Sequence, residues 1–300
     1  MPDRVICRID DGVADVRLNR PDKLNALDAA MFAALNEAGE ALRVDRSLRT
    51  VVLSGEGRGF CAGLDLASFA AMATSAAEPG PAAEPGLAAE PGPVAEPGPA
   101  GDDRDGGDGG GTAGLLGGRA AGRVANRAQQ AAWVWREIEV PVIAAIHGVA
   151  LGGGLQIALG ADLRIVAPDA RLSVLEVRWG LVPDMSGTWT LPRLVRPDVA
   201  KELTWTGRMV DGREAVRLGL ATRVSDDPLA DALALAADLA ARSPHAVRAA
   251  KALLDASLDD TAAEHLLAES AAMGALIGSA NHNEAVSAWF DQRAPRFDDA

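Results

Sequence analysis

The chain has 300 residues, 48% of them apolar and 24% charged, an ordinary globular mix with enough material for a sizeable core. Its net charge of −13 argues against nucleic acid as a partner, because phosphate binding needs a basic face, yet leaves room for an anionic small ligand held by a few local cations. Cys7 and Cys61 are too few for a disulfide framework and point to a reducing, cytoplasmic setting, and no signal peptide or run of about 20 apolar residues suggests export or a membrane.

Val5 to Ile9 and Val13 to Leu18 alternate around Asp11-Gly12, a hairpin pattern. Asp28 starts a helical run that places Met31, Phe32, Leu35 and Leu42 on one face. Val51 to Leu53 reads as a short buried strand. A first glycine element follows, Gly59-Phe60-Cys61-Ala62-Gly63-Leu64-Asp65-Leu66, read as strand, glycine and helix.

Residues 76–118 differ in kind. Glu-Pro-Gly recurs at 78, 84, 90 and 96, and a Gly/Asp-rich run covers 101–111. Such a composition cannot build a packed core, so the segment reads as a disordered insert, either a tolerated loop expansion or a tether for a partner. Helical patterning returns at about 123–137. Pro141 to Ile146 reads as a buried strand that runs into Gly148-Val-Ala-Leu-Gly-Gly-Gly-Leu-Gln156, with a buried helix opening at Leu155. Leu163 to Ala167 reads as a strand before a motif-rich loop, 173–187. Alanine-rich helices are expected at 228–242, 244–256, 261–278 and 281–292.

Strand, glycines, then helix is a way to aim bare backbone N–H groups at negative charge. Two such elements, near 63–66 and 152–156, can converge on one oxygen and stabilise an enolate or a tetrahedral oxyanion. Losing one such donor typically costs about 10²–10³ in rate.

These segments together resemble the crotonase family of enoyl-CoA hydratases and isomerases. Leu18-Asn-Arg-Pro-Asp-Lys-Leu-Asn-Ala-Leu27 is similar to the family's opening motif. Phe60 to Leu66 is similar to its first oxyanion segment, Gly148 to Gln156 to its second, and Arg293-Ala-Pro-Arg-Phe297 to its C-terminal segment. The resemblance covers nearly the whole chain except the insert. It implies an α/β fold, with a spiral of ββα turns over 1–200 and a C-terminal helical, oligomerising region over 201–300. It also implies a homotrimer or dimer of trimers. The substrate would be an acyl-CoA thioester, with coenzyme A as part of it and no metal or redox cofactor.

Carried over by position, Leu64 and Gly153 would donate the two N–H groups to the thioester carbonyl. Ala26, Ala62 and Leu66 would line the adenine pocket, with Arg20, Lys23 and Arg293 as candidates for the CoA phosphates. Each of these cations reads equally as a solvated surface charge.

Hydratases of the family use two glutamates to hold a water. The first of those positions is Gln156, which takes no proton at neutral pH. The second matches Glu176, and Asp184 follows eight residues on, a spacing similar to the dienoyl-CoA isomerase branch. Glu176 is therefore the expected base for double-bond isomerisation, with Asp184 a second acid or a water-orienting group. Plainer readings stand beside these: Asp184 as a helix N-cap, Gln156 as a buried amide, Cys61 as packing and His147 as a structural hydrogen bond. Trp133, Trp135 and Trp179 read as core, with Trp179 the best candidate for a ligand contact. Hydration of 2-enoyl-CoA and acyl-CoA binding without turnover remain the alternatives.

Overall fold

The computed structural model describes residues 3–65, 119 and 122–299. The insert read at 76–118 and Leu66 lie outside the described residues. Elements are numbered over the described chain.

β1 (Val5–Asp10) and β2 (Val13–Leu18) form the antiparallel hairpin expected around Asp11-Gly12. α1 (Ala29–Val44) is capped by Asp28, whose carboxylate accepts from the Met31 N–H at 2.8 Å. Its buried stripe includes Met31, Phe32, Leu35 and Leu42, as the spacing predicts. β3 (Thr50–Gly55) is buried along its whole length, as a strand covered on both faces must be. α2 (Arg127–Glu137) begins at Asn126, where Asn126 and Gln129 form a reciprocal capping box.

Two sheets share the next strands. β4 (Val142–Ile146) and β6 (Leu163–Val166) join the larger sheet, whose order is β1-β2-β3-β4-β6-β9. β5 (Val149–Leu151) and β7 (Arg171–Ser173) pair in parallel in the smaller sheet, order β5-β7-β8. From β4 onward the strands thus feed both sheets, as the expected α/β spiral requires. β8 (Val210–Asp211) and β9 (Arg223–Val224) complete the two sheets. Both lie beyond residue 200, so the spiral core extends past the boundary read from the sequence.

Three helices stand between these strands: α3 (Gly153–Leu159), α4 (Gly187–Leu194) and α5 (Pro197–Thr206). α6 (Gly212–Leu218) links β8 to β9. The four alanine-rich helices follow as α7 (Pro228–Ala240), α8 (Pro244–Ala256), α9 (Ala262–Leu276) and α10 (Ala280–Phe290). α7 belongs with the core: Ala232 and Ala236 pack on Val52, Ile143, Ala145 and Ile165 of the large sheet. α8 fully buries only Pro244 and α9 fully buries no residue, and Leu254, Leu266, Leu267 and Met273 on them are exposed.

Asn25 ties the opening motif to the rest. It is fully buried at φ +57°, a left-handed conformation that asparagine tolerates better than most residues. Its amide nitrogen donates to the carbonyls of Glu56, Gly59 and Phe60, and its amide oxygen accepts from the Arg20 N–H. Asn25→Ala strands these buried groups and is expected to cost about 2–3 kcal/mol. Urea unfolding of the variant against wild type measures it.

Candidate active site

α3 starts earlier than the sequence suggests. Its first residue is Gly153 rather than Leu155, because Val149–Leu151 forms a strand and Gly152 turns the chain. Gly152 has φ +52° and ψ −122°, a region open to glycine alone. A β-carbon there would also come within 3.3 Å of the Glu176 carboxylate. This early start leaves the Gly153 N–H in the first turn, where no helical carbonyl precedes it to accept.

Leu64 is brought to the same place by a second backbone device. Leu27 donates to the Gly63 carbonyl at 2.8 Å and accepts from the Asp65 N–H at 3.0 Å. This is a parallel bridge centred on Leu64, so the N–H of Leu64 points away from Leu27. Gly63, at φ +85°, packs against the turn before α3. A β-carbon on it would stand 2.6 Å from the Leu151 oxygen and 3.7 Å from the Gly153 nitrogen. The two glycine segments therefore abut.

Gln156, on the first turns of α3, is buried, with both ends of its amide hydrogen-bonded. Its amide oxygen accepts from the N–H of Met185 at 2.9 Å and of Gly187 at 2.8 Å. That fixes the orientation of the amide, and its nitrogen donates to Glu176 Oε1 at 2.6 Å. The other carboxylate oxygen of Glu176, Oε2, is buried without a hydrogen-bond partner among the described residues. Burial pushes the Glu176 carboxyl above its ordinary value, and the nearby charge of Asp184 adds to the rise. Asp184 is itself raised by burial, within the limit that its exposed position at the rim allows. It is not a cap, since the N-cap of α4 is Ser186.

A cavity of about 230 Å³ opens beside this loop. Asp184, Ser186, Thr188 and Trp189 of this loop and α4 line it, together with Gln129 and Trp133 of α2. Trp133 and Trp189 meet edge to face with centroids 5.1 Å apart. Arg193 and Arg136 stack on Trp189 at 3.5 Å and 4.7 Å. Trp189 carries no signal in the sequence, because only the fold sets it against Trp133. Trp135 is buried core as expected, whereas Trp133 lines the cavity and Trp179 is about half exposed. Cys61 is packing, its thiol pushed up to about 12 by burial, and His147 bonds the Gly57 carbonyl.

The candidate CoA contacts divide. Ala26 and Ala62 lie against one turn, the Ala26 N–H donating to the Lys23 carbonyl and the Ala62 N–H to the Leu24 carbonyl. Lys23 is exposed and makes no ion pair among the described residues. Arg20 is not the free cation the sequence suggests: it is largely buried, donates to Asp65 at 2.7 Å and to the Ala26 carbonyl, and lies 3.7 Å from Asp28. Arg293 is likewise held, by Glu284 at 2.6 Å and Asp291 at 3.5 Å. Carboxylates of the chain already neutralise both guanidinium groups.

The family model described as enoyl-CoA hydratase/isomerase matches residues 8–87 and 114–300. The chain belongs to the enoyl-CoA hydratase/isomerase family. Residues 88–113, left out of the match, fall inside the Glu-Pro-Gly and Gly/Asp segment. The mouse mitochondrial methylglutaconyl-CoA hydratase is 30% identical over 95% of this chain and 79% of its own. A bovine mitochondrial enoyl-CoA hydratase domain-containing protein 2 is 31% identical over 95% and 84%. Among solved structures, a candidate enoyl-CoA hydratase from Streptomyces coelicolor A3(2) superposes with a TM-score of 0.79 and 32% identity, over 99% of this chain and 96% of that one. These matches establish the crotonase fold.

Gln156→Glu keeps an acceptor for the two N–H groups but sets a second carboxylate 2.6 Å from Glu176 Oε1. Two such groups cannot both ionise cheaply, so the pair holds a proton well above the ordinary carboxylate range. A raised folded-state pKa means stability that is full in acid and lost as pH rises through it. The melting temperature of the variant is expected to fall further than that of wild type between about pH 5 and pH 8, read by scanning calorimetry.

Proposed function

We propose that this enoyl-CoA hydratase/isomerase family member shifts a double bond in an acyl-CoA thioester by carboxylate proton transfer. One observation carries the reading: among the described residues Glu176 presents a single unpartnered buried oxygen, while Gln156, whose amide oxygen is already held by two backbone N–H groups, can neither take nor give up a proton. The N–H groups of Leu64 and Gly153 would receive the thioester oxygen and stabilise the enolate. Glu176 Oε2 would take the proton at C2 of a 3-enoyl-CoA as the electron pair spreads to that oxygen. The same carboxylic acid would return the proton at C4, leaving the 2-enoyl-CoA. Asp184 at the rim would serve as a second acid. No metal or redox cofactor enters these steps, and Lys23 is the cation best placed by its exposure to meet a CoA phosphate. Hydration of 2-enoyl-CoA is the second reading, favoured by the hydratase names of the relatives.

A panel of 3-enoyl, dienoyl and 2-enoyl thioesters separates the two. Conversion of 3-enoyl-CoA is expected to dominate, and Glu176→Gln to lower it by about 10²–10⁴. Because the carboxyl is raised above the ordinary 4.5, kcat/KM should rise with pH through a midpoint above that value. Glu176→Gln should also raise the melting temperature near neutral pH, since it removes a buried charge, and the gain should vanish in acid. Faster hydration that survives Glu176→Gln would refute the assignment. Tight binding with no turnover on the panel would favour a thioester-binding protein.

We also propose that the protein assembles as a homotrimer or dimer of trimers through α8 to α10, acting in the cytoplasm. Leu254, Leu267, Ile277, Trp289 and Phe290 are all exposed there, more apolar surface than a monomer ordinarily leaves in water. Light scattering is expected to give three or six copies of the 30.9 kDa chain, and Trp289→Asp to lower that mass. A single copy for wild type would disprove it.

A further inference from the structure

The loop between Pro183 and Trp189 presents two faces. Met185 and Gly187 turn their N–H groups to Gln156, while Asp184, Ser186 and Thr188 line the cavity. Ser186 stands out in three respects. First, its backbone is left-handed, φ +69° and ψ −1°, a conformation that glycine adopts freely and serine only under strain. Second, its hydroxyl is buried with no hydrogen-bond partner among the described residues. A buried orphan hydroxyl is costly and calls for an explanation. Third, it occupies the N-cap of α4, where a serine side chain ordinarily caps the helix, yet it makes no capping bond. The left-handed backbone explains this, because capping uses the extended region. The carbonyl of Ser186 alone serves the helix, accepting from the N–H groups of Trp189 and Thr190 at 3.0 Å.

A glycine would remove the strain and the orphan hydroxyl together. That the chain spends both on a cavity-lining position points to a ligand for the hydroxyl. The cavity wall supplies the class. Trp133 and Trp189 give flat apolar surface, while Gln129, Thr188 and Ser186 add neutral polar groups. The Asp184 carboxylate on the same wall disfavours an anionic group. The volume of about 230 Å³ is below the roughly 300–1,000 Å³ of clefts that take drug-sized ligands, and suits a short chain.

We propose that Ser186 is a substrate-contacting, specificity-determining residue whose hydroxyl bonds a neutral oxygen, a hydroxyl or ketone, on the acyl part of the thioester, so that the protein selects short oxygenated acyl groups over alkyl ones of equal length. This rests on the reading of the site as an acyl-CoA site.

The test uses the full-length protein with 3-hexenoyl-CoA and its 6-hydroxy analogue. Wild type is expected to favour the hydroxylated thioester by about tenfold in kcat/KM, the size of one lost hydrogen bond to a buried partner. Ser186→Ala and Ser186→Gly should bring that ratio to about one, through KM for the hydroxylated substrate with kcat held. Ser186→Gly should also raise the melting temperature by about 2 °C as strain is relieved. A wild-type ratio of one or less overturns the proposal, and so does a preference that survives Ser186→Ala. If neither thioester turns over, the proton-transfer reading fails. Calorimetric affinities for hexanoyl-CoA and 6-hydroxyhexanoyl-CoA then read Ser186 directly, with the same expected ratio and the same overturning results.

Discussion

The amide of Gln156 is the constraint around which the site is organised. One side chain joins three pieces of chain: the start of α3, the short 3₁₀ turn that carries Glu176, and the loop of Met185 and Gly187. The polarity of an amide settles its orientation. Two backbone N–H groups claim the oxygen, so the nitrogen must face Glu176, and Glu176 must accept. The consequence is chemical as well as structural. A carboxylate at that position could trade protons with Glu176, whereas an amide cannot. Within this triad of contacts the titratable group is Glu176 alone, in surroundings that raise its pKa.

Backbone geometry supplies the complementary half. The parallel bridge to Leu27 turns the N–H of Leu64 outward, and the early start of α3 leaves that of Gly153 unclaimed. Both depend on the glycines, whose conformations and close approaches exclude any side chain. The hydrophobic spiral holds this arrangement rigid: β3 and β4 are buried throughout, and α7 seals the outer face of the sheet. Such preorganisation allows fixed dipoles to act on developing charge without rearrangement.

The C-terminal helices reach the site through charge. Asp255 at the end of α8 pairs with Arg136, and Asp259 just beyond it pairs with Arg193. These are the two arginines that stack on Trp189, so the aromatic wall of the cavity is braced from a region that looks purely structural. The outward faces of α8 to α10 carry exposed apolar side chains, among them Leu254, Leu267, Trp289 and Phe290. One region therefore serves both the cavity wall and the surface on which assembly is proposed.

Local signals in the sequence are strong enough to fix several features without the fold. The hairpin at Asp11-Gly12, the Asp28 cap with its apolar stripe and the four alanine-rich helices follow from alternation, capping chemistry and periodicity, which depend only on near neighbours. The glycine runs likewise mark the two segments that abut in the fold, and the motif order marks the family. The rest depends on contacts between residues 20 to 200 positions apart. β5, β8 and β9 are two or three residues long, too short for any period to register, and exist because a neighbouring strand receives them. Arg20 reads as a free cation until Asp65 is folded against it. Gln156 reads as a missing carboxylate until Glu176, Met185 and Gly187 arrive around it. Ser186 and Trp189 carry no sequence signal, because backbone strain and a shared cavity wall belong to the assembled loop. The sequence by itself determined the family, the helices and the two glycine segments; the tertiary structure alone decided which side chains are already partnered and which buried oxygen remains open, since hydrogen-bond satisfaction is a property of the whole fold.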